Sequence, residues 1–217
     1  MSPTEYPDRE APFAYACRRC GQCCRQMRVQ TSPYDIARLS RRLGLTTGET
    51  AARYTQDGAG VFLDHAVDGA CVFLSSEGCS VHPDRPLACR IYPLARLGDA
   101  DGREIWRDVV PASGSTGLYG GAGTLAGFLA GQDVEDAIAA ADAYADWARR
   151  AAEVLATAPG AGAENDFDAG DLLDMDVMIA RHAAQTGEPA PADLALRVQL
   201  HLRILHAVLD DLERGEP

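Results

Sequence analysis

Seven cysteines carry the chemistry of this 217-residue sequence, and all of them fall between Cys17 and Cys89. They run Cys17-x2-Cys20-x2-Cys23-Cys24, then Cys71-x7-Cys79-x9-Cys89. A CxxC spacing lets two thiolates on one loop face a single metal ion. Three cysteines at x2, x2 spacing are also what a chain uses to wrap a cubane iron–sulfur cluster. Both zinc and iron accept four thiolates in tetrahedral disposition, so spacing alone leaves the two open. Neighbouring side chains usually diverge, so Cys23 and Cys24 are expected to serve different sites, or one to ligate while the other packs.

A disulfide framework fits poorly. Seven is an odd number, and the second half of the chain has no cysteine. The start, MSPTEYPDREAPF, has neither a basic opening nor an apolar core, so no secretory signal is expected. Arg18, Arg19, Arg25 and Arg28 flank the first cysteines, and Arg85 and Arg90 flank the last. Nearby guanidinium groups lower thiol pKa values and offset the negative charge that metal-bound thiolates leave.

Charge excludes further classes. The net charge is −12, and there is no lysine anywhere. A Schiff-base or P-loop lysine is thus absent. Residues 1–110 balance 14 arginines against 14 acids, whereas residues 111–217 set 6 arginines against 18 acids. So acidic a chain is not expected to bind nucleic acid, which rests on basic patches. No stretch approaches the roughly 18–20 apolar residues of a membrane span, so no membrane partner is expected.

The elements that must position the cysteines are short. Residues 1–13 read as a loose arm. Ser32, Pro33 and Asp35 are helix-start residues, and Ile36, Leu39 and Leu43 continue as an apolar stripe. A short helix is expected from Thr47 to Tyr54 with Thr47 as its cap. Ala70–Leu74 and Cys79–His82 flank the turn-rich SSEG, which predicts a hairpin that brings Cys71 near Cys79. A further strand is expected at Glu104–Val109, and the glycine-rich, uncharged residues 111–123 read as a loop.

Beyond them, Asp133 is expected to cap one long helix to about Ala158. A break over residues 159–166, a helix over 169–185 and a last helix over 192–214 follow. That last segment alternates like a strand at Leu194, Leu196, Val198, Leu200, Leu202 and Ile204, yet its length and its Leu, Ala, Arg and Gln content favour helix. The fold class is therefore α+β: a small cysteine-rich metal-binding module with short antiparallel strands over 1–110, then a mainly helical, acidic part over 111–217.

These residues resemble the YkgJ-type cysteine-cluster proteins, whose CxxCxxCC domain is named for chelating zinc or iron. The resemblance lies in CRRCGQCCR at Cys17–Arg25, GACVFL at Gly69–Leu74, CSVH at Cys79–His82 and RPLACRIYP at Arg85–Pro93, and it covers about residues 14–150. It implies a metal-binding cytoplasmic protein of bacterial type. The family usually has eight cysteines; where the eighth would fall, this chain offers only Ser113 or Ser115. His82 stands where the family often has tyrosine. The resemblance is also distant to the cysteine domain of flagellin lysine-N-methylases, which use S-adenosylmethionine.

The expected function is thus metal binding through Cys17, Cys20, Cys23, Cys24, Cys71, Cys79 and Cys89, holding an iron–sulfur cluster, with 4Fe-4S favoured, or zinc. The alternatives are a methylase-like enzyme using S-adenosylmethionine and a zinc-stapled protein whose acidic helices dock a partner. For an enzyme, Arg85, Arg90, Tyr92, His65 and Asp64 are the polar candidates. There is no Ser–His–Asp order and no HExxH motif. His182, His201 and His206 read as structural.

Overall fold

The computed structural model describes residues 4–98, 103–157 and 169–214. Two compact units are interleaved along the chain. The first comprises residues 1–30 and 63–135, the second residues 31–62 and 136–217.

The first unit is built on three small antiparallel sheets. Glu5–Tyr6 (β1), Leu94–Gly98 (β5) and Glu104–Asp108 (β6) form one, in the order β1-β6-β5. Trp106 sits on the central strand, between Tyr6 and Arg96 in the register, and is fully buried. The expected loose arm is therefore corrected: Tyr6 pairs in the sheet, and its ring packs edge-on against buried Phe13. Tyr15–Ala16 (β2) pairs with Leu118–Tyr119 (β7), so the glycine-rich segment is partly strand. Leu74–Ser75 (β3) and Gly78–Cys79 (β4) make the expected hairpin, shorter than predicted. Three short helices complete the unit: Cys23–Gln26 (α1), Leu87–Ile91 (α4) and Leu125–Gln132 (α5).

The second unit is helical. Pro33–Leu43 (α2) begins with Ser32 and Asp35 in a reciprocal capping box, as its sequence predicts. Thr47–Tyr54 (α3) has the expected span, but its cap is Thr46, which pairs reciprocally with Glu49. Thr47 instead binds Asp174 and Asp176 at the start of Met175–Thr186 (α8). The remaining helices are Glu135–Thr157 (α6), Ala169–Leu173 (α7) and Leu194–Arg214 (α9).

The long helix predicted from Asp133 to about Ala158 forms as α6, but a break separates Asp133 from it. Asp133 has a left-handed φ of 54° and ends α5; α6 then starts afresh at Glu135. The helix expected over 169–185 is likewise interrupted at Asp174, which caps α8 by accepting from the Asp176 and Val177 amides. In α9 the alternation is overridden: Val198, Leu205 and Leu209 fall on its buried face, while Leu196 stays exposed. The break at 159–166 lies outside the described residues.

Candidate metal centre

The seven cysteines arrive on three stretches of the first unit, residues 17–24, 71–79 and 89. Cys17 and Cys20 lie on the loop after β2, where Arg19 and Gly21 both take positive φ, 53° and 74°. The positive φ is what favours glycine at Gly21; a Cβ there would also press on the Leu74 side chain, at 3.2 Å. Cys23 and Cys24 stand on α1. Cys71 is tied to that helix directly, its amide donating to the Cys24 carbonyl at 2.6 Å. Cys79 sits on β4 opposite Leu74, and Cys89 on α4.

All seven line one cavity of about 80 Å³. One water needs about 10–15 Å³ by the same kind of measure, so there is room for something larger than a bare ion. Apolar side chains, among them Val29, Leu63, Phe73 and Phe128, form much of the remaining wall. All seven cysteines are free thiols. Cys17 and Cys20 are exposed, Cys71 is buried, and the others lie between. Among the described residues, no three His, Cys, Asp or Glu side chains stand as a ready-made single-ion site. The thiols surround the space rather than converge on one point.

Cys23 and Cys24 do not diverge as their adjacency suggests. Their sulfurs are 3.9 Å apart and share a hydrogen bond. That bond favours one thiolate at the other's expense: Cys23 is pulled down to about 7, whereas the bond and burial push Cys24 up. Burial also raises Cys71 and Cys79. Cys20 is lowered by hydrogen bonds from the Thr116 and Gln22 backbone and the Thr116 and Ser115 hydroxyls. Without metal Cys24, Cys71 and Cys79 thus keep their protons, while Cys23 gives its proton up most readily; a coordinated cation removes them outright.

The glycine-rich segment is fastened over the cysteines. The Ala112 amide donates to the Tyr92 hydroxyl at 2.9 Å, and Gln26 grips the Ser113 backbone from both sides, donating at 3.1 Å and accepting at 2.9 Å. Gly117 is required by close approach, because a Cβ would lie 2.1 Å from the Tyr15 hydroxyl. Of the two candidate serines, Ser115 lines the cavity and Ser113 does not.

Cations occupy the same wall. Arg19, Arg85 and Arg90 line it, together with His82 and Tyr92. His82 is pushed down to about 4, first by burial and then by Arg85, Arg19 and Arg90, so it is neutral. Arg90, 4% exposed, donates to the carbonyls of Arg85, Gln132 and Pro83. Asp64 and His65 are not in the lining. The Asp64 carboxylate accepts from the His65 amide, and the His65 ring bonds the Met27 carbonyl at 3.2 Å.

Sequence reasoning missed Gln132 and Phe128, which reach the cavity from α5. The run GFLAGQ marks that stretch, but nothing in it signals a neighbour some forty residues back. In the second unit, His201, His182 and His206 all make ordinary internal contacts, with Tyr144, Glu188 and Arg150.

The donor set fits a thiophilic metal. Among the described residues, seven sulfurs, a neutral imidazole and no carboxylate line the space. Among the described residues no helix is long and apolar enough to cross a membrane. Residues 16–110, just under half the chain, match the family model CxxCxxCC, described as a "putative zinc- or iron-chelating domain". The cysteine-cluster resemblance is thereby shown for that segment, which contains all seven cysteines. No curated protein and no solved structure matches the chain.

Proposed function

We propose that the CxxCxxCC domain of residues 16–110 holds an iron–sulfur cluster through thiolates drawn from Cys17, Cys20, Cys23, Cys24, Cys71, Cys79 and Cys89. The observation that carries this reading is the cavity itself. A structural zinc site closes four ligands tightly on one ion. Here more than four thiols surround about 80 Å³ of space, which suits a multi-atom centre. When bound, such a cluster supplies one-electron chemistry, with a potential tuned by the charge and hydrogen bonds around its sulfurs. The chain's part is to present the thiolates, exclude water with Phe73, Val29 and Phe128, and balance charge with arginines. In this proposal the metal-binding role runs past residue 110, because Ser115 and Gln132 share the wall, while the acidic helices of the later chain scaffold rather than ligate.

Purification without oxygen, followed by assays for iron, acid-labile sulfide and zinc, tests the reading. Iron with sulfide and broad visible absorption is expected. A colourless protein with stoichiometric zinc and no sulfide sinks the cluster and leaves a zinc staple. Cys71→Ser and Cys89→Ser should each lower metal content; unchanged content would remove that residue from the ligand set.

A further inference from the structure

Three guanidinium groups line the cavity, and they are held differently. Arg19 is exposed on its loop. Arg90 is spent on carbonyls, bonding Arg85, Gln132 and Pro83 together. Arg85 is half-buried, and each of its hydrogen bonds goes to a neutral group. It donates to the His82 carbonyl at 2.6 Å, to His82 Nδ1 at 3.3 Å and to Gln132 Oε1 at 2.7 Å. Among the described residues no carboxylate forms an ion pair with it, and the cavity lining contains neither Asp nor Glu.

A half-buried cation is stabilised by negative charge nearby. The groups on the wall beside Arg85 that can carry negative charge once a metal binds are the cysteines, among them Cys17, Cys23, Cys79 and Cys89. Those four cysteines come from three different pieces of chain, so the guanidinium serves the assembled cavity rather than one loop. Its aim is fixed from both sides, by the turn at His82 and by the end of α5 at Gln132. Four thiolates around a dication leave a double negative charge in a largely apolar wall, and a fixed guanidinium beside it is worth more there than in water.

We infer that Arg85, aimed by Gln132 and His82, is the built-in counter-charge of the thiolate-bound metal, a positioning residue that determines how tightly the centre is held. The inference rests on the proposed metal site but not on which metal fills it.

The test uses the full-length protein as purified without oxygen, with metal content measured first. Metal release to an excess of chelator is then followed for wild type, Arg85→Gln, Arg85→Lys and Gln132→Ala, with far-UV circular dichroism as a folding control. Arg85→Gln should release metal about 10- to 100-fold faster, the usual cost of losing a partner behind the ligands. Arg85→Lys, which keeps the charge, should recover most of that loss. Gln132→Ala, which frees the guanidinium without removing it, should shift release the same way by less. If the metal is iron, Arg85→Gln should also move the reduction potential to a more negative value, since the lost cation favours the added electron.

Release from Arg85→Gln at the wild-type rate overturns the inference and leaves the metal site standing. Arg85→Lys as fast as Arg85→Gln also overturns it, because charge would then not be what matters. Should Arg85→Gln not fold, Gln132→Ala decides: faster release supports the inference, and an unchanged rate overturns it. Wild-type protein that takes up no metal overturns the metal site and this inference together.

Discussion

His201 is fully buried in the second unit, with both ring nitrogens engaged. Its Nε2 faces the Leu172 carbonyl at 2.9 Å, which can only accept, so Nε2 carries the proton. Nδ1 therefore accepts from the Tyr144 hydroxyl at 2.8 Å. A second proton would have to displace that bond. Burial pushes the imidazole down to about 4, against about 6.5 when unfolded. The sign follows from linkage. Between these values the unfolded chain binds the proton and the folded one does not. Stability is thus full above about pH 6.5 and lost as pH falls towards 4, by about 3 kcal/mol. Urea unfolding followed by far-UV circular dichroism at pH 7 and pH 4.5 should show that loss. His201→Gln should flatten the slope, and an unchanged slope would remove His201 as its source.

At the scale of elements, local chemistry was legible and long-range chemistry was not. Ser32, Pro33 and Asp35 announce α2 because a capping box is completed within four residues. Thr46 and Thr47 could each cap α3; the choice falls to Thr46 because Thr47 is claimed by Asp174 and Asp176, about 130 positions away. The site shows the same division. Seven cysteines among arginines declare a metal centre, whereas Gln132 and the closeness of Cys23 to Cys24 depend on how α5 and α1 pack. The α3–α8 junction also reverses an ordinary expectation. Alanine is usually better than glycine inside a helix by about 1 kcal/mol. A Cβ on Gly48 would lie 2.3 Å from Asp174 Oδ2. That carboxylate cannot swing away freely, since Oδ1 accepts from Thr47 Oγ1 at 2.6 Å and from the first amides of α8. Gly48→Ala should therefore destabilise, by about 1–3 kcal/mol. A thermal melt at or above the wild-type temperature would show that the junction yields.

For the whole molecule, charge and the proposed metal site divide between the two units. The first carries 10 arginines against 13 acids, the second 10 against 19, so most of the −12 belongs to the helical unit. All seven cysteines belong to the other. Removing the metal should thus be felt mainly in the first unit, whose strands are short and whose cavity walls are joined through the centre. The chain supplies one reporter for each. Its two tryptophans are Trp106, buried in the β1-β6-β5 sheet, and Trp147 on α6, whose Nε1 donates to the Leu205 carbonyl at 3.1 Å. Trp147→Phe leaves a fluorophore in the first unit alone, and Trp106→Phe leaves one in the second. On chelation the Trp106 transition should move to lower temperature, by about 4–8 °C for each kcal/mol that the metal contributes. The Trp147 transition should stay within about 2 °C of its starting point, less than 1 kcal/mol on the same scale. Equal shifts of both signals would mean that the interleaved units melt as one and that the metal stabilises the helices as much as the cysteine module.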